Sequence, residues 1–382
     1  MVAKGPLDGI RIIELAGLGA LPFGSLKLAD MGATVVRVDR ASAVPRNRPD
    51  SRPRSAWDRG RQSIAVDLKN PDGVETVLRL AESADVFLES FRPGVTERLG
   101  LGPDDVMARN PRIVYGRLTG WGQHGPLAPS AGHSLNYEAI TGVIRAIGPA
   151  GGPPVPLLQI IGDFAGGGLL LAYGVVCALF EAQRSGRGQV VDAAMVDGTM
   201  SLLAPYYGMA QSGFHTEEMG ANLFDGGAPF YNVYETSDGK YVSVAPIEPH
   251  FYALLLDKMG LSGETLPGQN DRAQWPVLRA RFAEVFRTKT RDEWCALLEG
   301  TDACFAPVLT FDEARAYPHH VDRESFVDGR PEVAISPRLS RTPGDAYAPS
   351  PAYPGADTDA VLASFGFSAS EVTELRERGA IT

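Results

Sequence analysis

Residues 9–16 (GIRIIELA) form a short, nearly continuous run rich in β-branched side chains, the pattern of a strand buried on both faces. Residues 21–31 then place apolar side chains at helical spacing, and residues 33–39 (ATVVRVD) return to a buried-strand pattern. Strand, helix and strand at this spacing predict a βαβ unit. The alternation continues with an amphipathic helix at 71–83, strands at 85–89 and 112–118, and a long apolar helix at 164–184 that starts on small residues. Ser185-Gly186-Arg187-Gly188 closes that helix, and a strand follows at 189–194. The first 200 residues therefore read as a large Rossmann-like α/β domain with a mostly parallel sheet.

The pattern changes near residue 200. Residues 201–228 hold Pro205, several aromatics and glycines without strong periodicity, and read as a linker between domains. Residues 230–245 alternate like a hairpin around Ser237-Asp238-Gly239-Lys240. Helical segments at 251–259, 274–286 and 291–298 complete a smaller α+β domain over 229–318. A return linker at 319–336 and a proline-rich stretch lead into a segment, 337–382, expected to rejoin the large domain. It ends in a helix with the capping box Ser368-Ala369-Ser370-Glu371 and a closing Gly379. No internal repeat is visible.

A length of 382 residues suits two domains, and 44% hydrophobic with 21% charged residues is ordinary for a globular protein. The net charge of −10 argues against nucleic acid as the main partner. Cys177, Cys295 and Cys304 show neither metal-ligand spacing nor a disulfide framework, and Cys177 reads as a packing residue in an apolar helix. The expected setting is the cytoplasm: there is no apolar signal core at the start, no uninterrupted apolar span of about 20 residues, and no peroxisomal address in the last residues.

Arg40, Arg46, Arg48, Arg52, Arg54, Arg59 and Arg61 crowd one proline-rich segment. Most are expected to be solvated. Arg40 stands apart because it ends the second strand, where open α/β sheets hold ligands. Gly17-Leu18-Gly19-Ala20-Leu21-Pro22 after the first strand, with Asp39 after the second, invites a dinucleotide-binding reading, but Pro22 replaces the third glycine.

Two segments carry candidate proton chemistry: Gly132-His133-Ser134-Leu135-Asn136-Tyr137, and Gly162-Asp163 leading into Phe164-Ala165-Gly166-Gly167-Gly168. An imidazole and a carboxyl beside small residues are what α-proton transfer requires. His133 reads equally as a loop histidine, and Asp163 as the N-cap of the long helix, a role that would favour its anion. Glu248, in Ile247-Glu248-Pro249, is either an exposed glutamate or an acceptor orienting a histidine base. His124, His215, His250, His319 and His320 show no metal pair, and no nucleophile elbow appears.

Longer matches resolve some of these choices. The chain resembles the family III CoA-transferase superfamily through residues 58–69 (DRGRQSIAVDLK), 91–101 (FRPGVTERLGL), 119–123 (TGWGQ) and 185–192 (SGRGQVVD). Within it, His133, Asp163 and Glu248 occupy the places that mark the α-methylacyl-CoA racemases. The resemblance implies the family III fold as an interlocked homodimer with its site between subunits. It implies His133 and Asp163 as the two acid/base groups, with Glu248 supporting His133. CoA contacts are implied for Arg40, for Val66, Asp67, Leu68 and Lys69, for Ser90, Phe91 and Arg92, for Arg98, and for Gly132, Ser134, Leu135, Asn136 and Tyr137. Two residues depart from the pattern: Ser134 stands for an aspartate and Gln159 for an asparagine. Ser134 is expected to cap the helix that starts there.

The implied reaction is racemisation of 2-methylacyl-CoA thioesters in fatty acid and lipid metabolism. One group removes the α-proton, backbone N–H groups stabilise the enolate, and the other group reprotonates the opposite face. No metal or organic cofactor is implied, CoA being part of the substrate. Tyr207, Met209, Met219 and Leu223 are candidates for the acyl surface, with packing as the alternative. The competing readings are CoA transfer with Asp163 as nucleophile and a non-catalytic acyl-CoA-binding homologue.

Overall fold

A computed structural model of the chain describes residues 5–47, 57–330 and 332–382. Arg48, Arg52 and Arg54 lie outside the described residues. The chain divides into two compact units: Met1–Thr141 with Leu157–Leu202 and Glu324–Thr382, and Gly142–Pro156 with Leu203–Arg323.

The first unit opens with β1 (Arg11–Leu15), α1 (Ala20–Asp30), β2 (Thr34–Arg40), β3 (Arg61–Val66), α2 (Pro71–Ala81) and β4 (Val86–Glu89). It continues through α3 (Val95–Arg98), α4 (Pro103–Arg109), β5 (Val114–Thr119) and α5 (Ser134–Ala139). A π-helical segment, Ile160–Leu169, then runs into α6 (Leu170–Ser185), followed by β6 (Val190–Ala194) and α7 (Met195–Leu202). The six strands form one parallel sheet in the order β3-β2-β1-β4-β5-β6.

Alternation along each strand divides the core between two faces. Ile13, Val36, Phe87 and Tyr115 point toward Val77 and Leu80 of α2. Ile12, Val35, Val86 and Val114 point toward Leu21 and Leu28 of α1 and Leu171 and Val175 of α6. Strands covered on both faces are why the sequence shows continuous apolar runs there. The chain winds outward from β1 to β3 and then returns to β4 beside β1. The β1/β4 boundary is thus the topological switch point, where open parallel sheets bind ligands beyond the strand C-termini.

Small residues fix the close packing of the π-helical segment. A Cβ on Gly168 would lie 2.4 Å from the Ala20 carbonyl oxygen, and one on Gly198 only 1.8 Å from that of Gly166. Backbone meets backbone at both α1 and α7, which is why this run opens on glycines despite their cost of about 1 kcal/mol each in a helix. The run Ile160–Ser185 is long and apolar enough to cross a membrane by length and composition, although the sequence reading expected no such span. Leu171, Val175 and Leu179 pack it onto the sheet. Its outer face carries Tyr173, Val176, Cys177 and Phe180, all exposed, so Cys177 is not the packing residue its apolar surroundings suggested.

The second unit holds α8 (Ala204–Gln211), the hairpin β7 (Asn232–Glu235) and β8 (Tyr241–Val244), α9 (Pro249–Lys258), α10 (Trp275–Phe286), α11 (Arg291–Leu298), β9 (Phe305–Val308), α12 (Phe311–Ala316) and α13 (Pro318–Asp322). β7, β8 and β9 form an antiparallel sheet over Phe230, Leu278, Phe282, Phe286 and Trp294. The turn between β7 and β8 uses Gly239 at φ +71. Thr290 and Glu293 cap α11 reciprocally, Glu293 N–H donating to Thr290 Oγ1 at 3.2 Å and Thr290 N–H to Glu293 Oε2 at 2.8 Å.

Residues 203–228 belong to the second unit, as does 142–156, so the division differs from a linker at 201–228 and a small domain beginning at 229. The reason lies in α8, which buries none of its residues and so writes no apolar stripe into the sequence. At the far end, α14 (Thr358–Ser364) and α15 (Ala369–Glu377) return to the first unit, where Val361, Leu362 and Val372 join the face that holds Ile13. The Ser368–Glu371 capping box is formed, and Gly379 follows α15 at φ +70.

Candidate active site

The C-terminal ends of the parallel strands carry most of the proposed contact residues. Arg40 ends β2 and is exposed, while Val66 ends β3 with Asp67, Leu68 and Lys69 beyond it. Leu68, Lys69 and Arg98 come together with Pro71 and Val74 around a surface cleft of about 540 Å³. Ser90, Phe91 and Arg92 follow β4, where Phe91 N–H donates to Glu89 Oε2 at 2.7 Å. At the switch point the two loops touch: a Cβ on Gly17 would sit 2.3 Å from Ser90 Oγ.

The dinucleotide reading fails at this point for a physical reason. The turn into α1 is occupied by the chain's own carboxyl, since a Cβ on Gly19 (φ +62) would lie 2.8 Å from Asp163 Oδ2. Asp39 is engaged too, accepting from Arg37 Nε at 2.8 Å and from Ser63 Oγ at 2.6 Å. Two of the crowded arginines are buried parts of the fold, not a solvated loop. Arg59 grips Asp30 with Nε and Nη2, each at 2.9 Å, and Arg61 Nε lies 3.3 Å from Glu14 Oε2.

Gly132 and His133 lead into α5, whose first residues are Ser134 to Tyr137. His133 is the N-cap, exposed, with its backbone N–H donating to Asn136 Oδ1 at 3.1 Å. Ser134 is therefore the first helical residue and not the cap. Its hydroxyl accepts from the backbone N–H of Asp163 at 3.1 Å and donates to Glu138 Oε1 at 2.8 Å. The first of these bonds joins the two segments that the sequence singled out, 29 residues apart. Tyr137 donates its hydroxyl to the Gly132 carbonyl and packs edge-on against Trp121, ring centroids 4.7 Å apart. Leu135 and Asn136 are exposed on the same turn.

Asp163 does not cap a helix. It is the fourth residue of the π-helical segment, which has Gln159 at its N-cap position. Burial raises its pKa, the Ser134 hydroxyl lowers it, Glu138 raises it and His133 lowers it, with a net upward direction. That is the direction a carboxylic acid needs to hold a proton for donation. Tyr137 is pushed up as well, first by burial and then by Asp163, with Arg92 opposing.

Glu248 lies in the second unit, exposed at the N-cap of α9. Met219 is buried and Leu223 packs against the core of that unit, so both are packing residues there, whereas Tyr207 is exposed. Among the described residues no cluster of His, Cys, Asp and Glu could hold a metal ion. Sequence reasoning missed Glu138, which is fully buried beside Ser134 and accepts from Gly162 N–H at 2.8 Å. The available signal was its spacing: a glutamate four residues after a serine shares that serine's helix face.

A family profile described as CoA-transferase family III matches residues 7–358. The chain belongs to this family. Its relatives include the mouse protein named alpha-methylacyl-CoA racemase, 46% identical over 97% of this chain and 96% of that protein. The human protein of the same name is 43% identical over the same shares. Among solved structures, a CAIB/BAIF family protein from Brucella suis matches with a TM-score of 0.81 and 26% identity, covering 95% of this chain and all of that one. The family III assignment accounts for the parallel sheet with its smaller α+β companion.

Proposed function

We propose that this chain is a cofactor-independent racemase of 2-methylacyl-CoA thioesters and works in fatty acid metabolism. The observation that carries the reading is the nearly full-length identity to two proteins named alpha-methylacyl-CoA racemase. The local chemistry agrees with it. Asp163 is a partly buried carboxyl with raised proton affinity, hydrogen-bonded through its backbone to the helix start that carries His133.

In the forward direction the His133 imidazole takes the α-proton, and the electron pair passes into the thioester carbonyl to give an enolate. Protonated Asp163 then delivers its proton to the opposite face of Cα. The reverse direction exchanges the roles, so the reaction conserves protons and needs no cofactor. Glu248 would support the imidazolium. The exposed residues Arg40 at the end of β2, Lys69 and Arg92 just beyond β3 and β4, and Arg98 at the end of α3 would hold the CoA phosphates, guanidinium forks being suited to phosphate oxygens. The partner we propose for the exposed apolar face of α6 is a second copy of this chain.

Incubating the protein with a 2-methylacyl-CoA in D₂O tests the reading. Incorporation of deuterium at Cα without any CoA acceptor is the expected result. A hydroxylamine-sensitive acyl adduct on Asp163 without exchange would overturn it in favour of CoA transfer.

A further inference from the structure

One buried carboxyl in this site has no part in the scheme above. Glu138 is fully buried on α5, one turn after Ser134. Its Oε1 accepts two hydrogen bonds, from Ser134 Oγ at 2.8 Å and from Gly162 N–H at 2.8 Å. Both donors are uncharged, and Oε2 is buried with no hydrogen-bond partner among the described residues. Burying a carboxyl on two neutral donors with one oxygen unsatisfied is costly, and such groups call for an explanation beyond packing.

The explanation lies in the single proton of the Ser134 hydroxyl. Glu138 and the Asp163 carboxyl compete for that proton: Ser134 donates to Glu138 Oε1 at 2.8 Å, and its hydrogen bond to Asp163 lowers the Asp163 pKa. Ser134 also accepts, from the Asp163 backbone N–H at 3.1 Å. A Ser134 hydroxyl released by Glu138 would donate to the Asp163 carboxylate alone, stabilising the anion further. We infer that Glu138 is a positioning residue that acts through Ser134: by holding the serine proton and placing negative charge in the same pocket, it keeps Asp163 in its protonated, donor form. This rests on the proton-transfer role proposed for Asp163.

The groups around Asp163 are consistent with this. From α5 it is faced by His133, which favours the anion, by Glu138, which favours the neutral acid, and by Tyr137. α1 meets it with the backbone of Gly19, and α7 packs on the adjoining glycines through Gly198 and Thr199. Arg92 acts on Tyr137, and Lys27 of α1 pairs with Asp30. Glu138 thus supplies the negative charge that opposes His133.

Two variants of the full chain separate charge from hydrogen bonding. Glu138→Gln keeps an oxygen acceptor for Ser134 and Gly162 but removes the charge, and Glu138→Leu removes both. The primary readout is a ¹³C NMR titration of aspartate carboxyl carbons in the free protein, with Asp163→Asn assigning the signal. The Asp163 midpoint should move to lower pH in Glu138→Gln and further in Glu138→Leu. The limb of the D₂O-exchange profile that requires protonated Asp163 should move with it, and exchange at neutral pH should fall about tenfold.

An unchanged Asp163 midpoint in Glu138→Gln, with the fold intact by circular dichroism, would overturn the proposal. If Glu138→Leu does not fold, Glu138→Gln decides alone. Absence of exchange in the wild-type protein would defeat the racemase reading, yet the titration would still report whether Glu138 controls Asp163.

Discussion

Two acidic clusters stand near the C-terminal edge of the same parallel sheet, and they are built oppositely. In the first, Glu89 is fully buried at the end of β4 but accepts from Arg117 Nε at 2.8 Å, while Arg117 Nη1 reaches Glu97 at 2.8 Å. In the second, Glu138 accepts from the Ser134 hydroxyl and the Gly162 N–H, and Ser134 accepts from the Asp163 N–H; among the described residues no guanidinium takes part in these bonds. Burial raises the proton affinity of Glu89 and Asp163 alike. At Glu89 the opposing influences are the Phe91 N–H and the Arg117 guanidinium, whose charge stays in place. At Asp163 they are the rotatable Ser134 hydroxyl and the neighbouring, exposed His133. A carboxyl fixed by arginine serves the fold, and one left without it can carry a proton.

The comparison breaks most visibly at Asp163. Asp163→Asn should lower α-proton exchange by about 10² to 10⁴-fold, the usual contribution of a positioned acid/base group. It should leave the fold at least as stable as before, because the amide fits the same space without an ionisable group. Activity assays beside urea unfolding check both halves, and a large loss of stability would show that Asp163 belongs with the structural cluster after all.

Arg117→Ala should do the reverse. It leaves Glu89 buried without its guanidinium, and breaking a buried pair from one side costs about 3–5 kcal/mol. Urea unfolding should show that loss near neutral pH, and the loss should shrink toward acid as Glu89 takes up a proton. A change below about 1 kcal/mol would place the pair with ordinary surface bridges.

The two clusters also differ in how far the sequence revealed them. The βαβ opening was legible because strands β1, β2 and β4 are covered on both faces, so Ile12-Ile13, Val35-Val36 and Val86-Phe87 write unbroken apolar runs. His133 and Asp163 were legible as residue types, flanked by glycines whose purpose is steric. Their mutual placement was not, because the Ser134–Asp163 bond crosses 29 residues and leaves no periodic trace. Asp163 as a helix cap was a reasonable local reading that failed because the helix begins earlier, at Ile160, in a π-helical turn the pattern does not distinguish. Arg59 and Arg61 looked like loop charges because their partners, Asp30 and Glu14, lie on other elements. Glu138 was passed over because a lone glutamate in a six-residue helix looks solvated until the chain folds over it.

The smallest expected effect is in the pH dependence of stability. Asp163 has a folded-state pKa raised above its unfolded value, with burial as the first cause. The native state therefore binds this proton more tightly than the unfolded chain does. The resulting stabilisation is fully present below the unfolded pKa and is lost as pH rises through the folded value. Asp163→Asn removes this linkage, so the variant should gain on the wild type as pH rises across that window and hold a constant advantage above it. Paired thermal melts from the acid range to neutral pH would show the difference curve directly. A curve of the opposite slope would mean that the Asp163 anion is the favoured native form, which would align it with Glu97, the arginine-paired carboxyl whose pKa is lowered, and remove its claim to act as the acid.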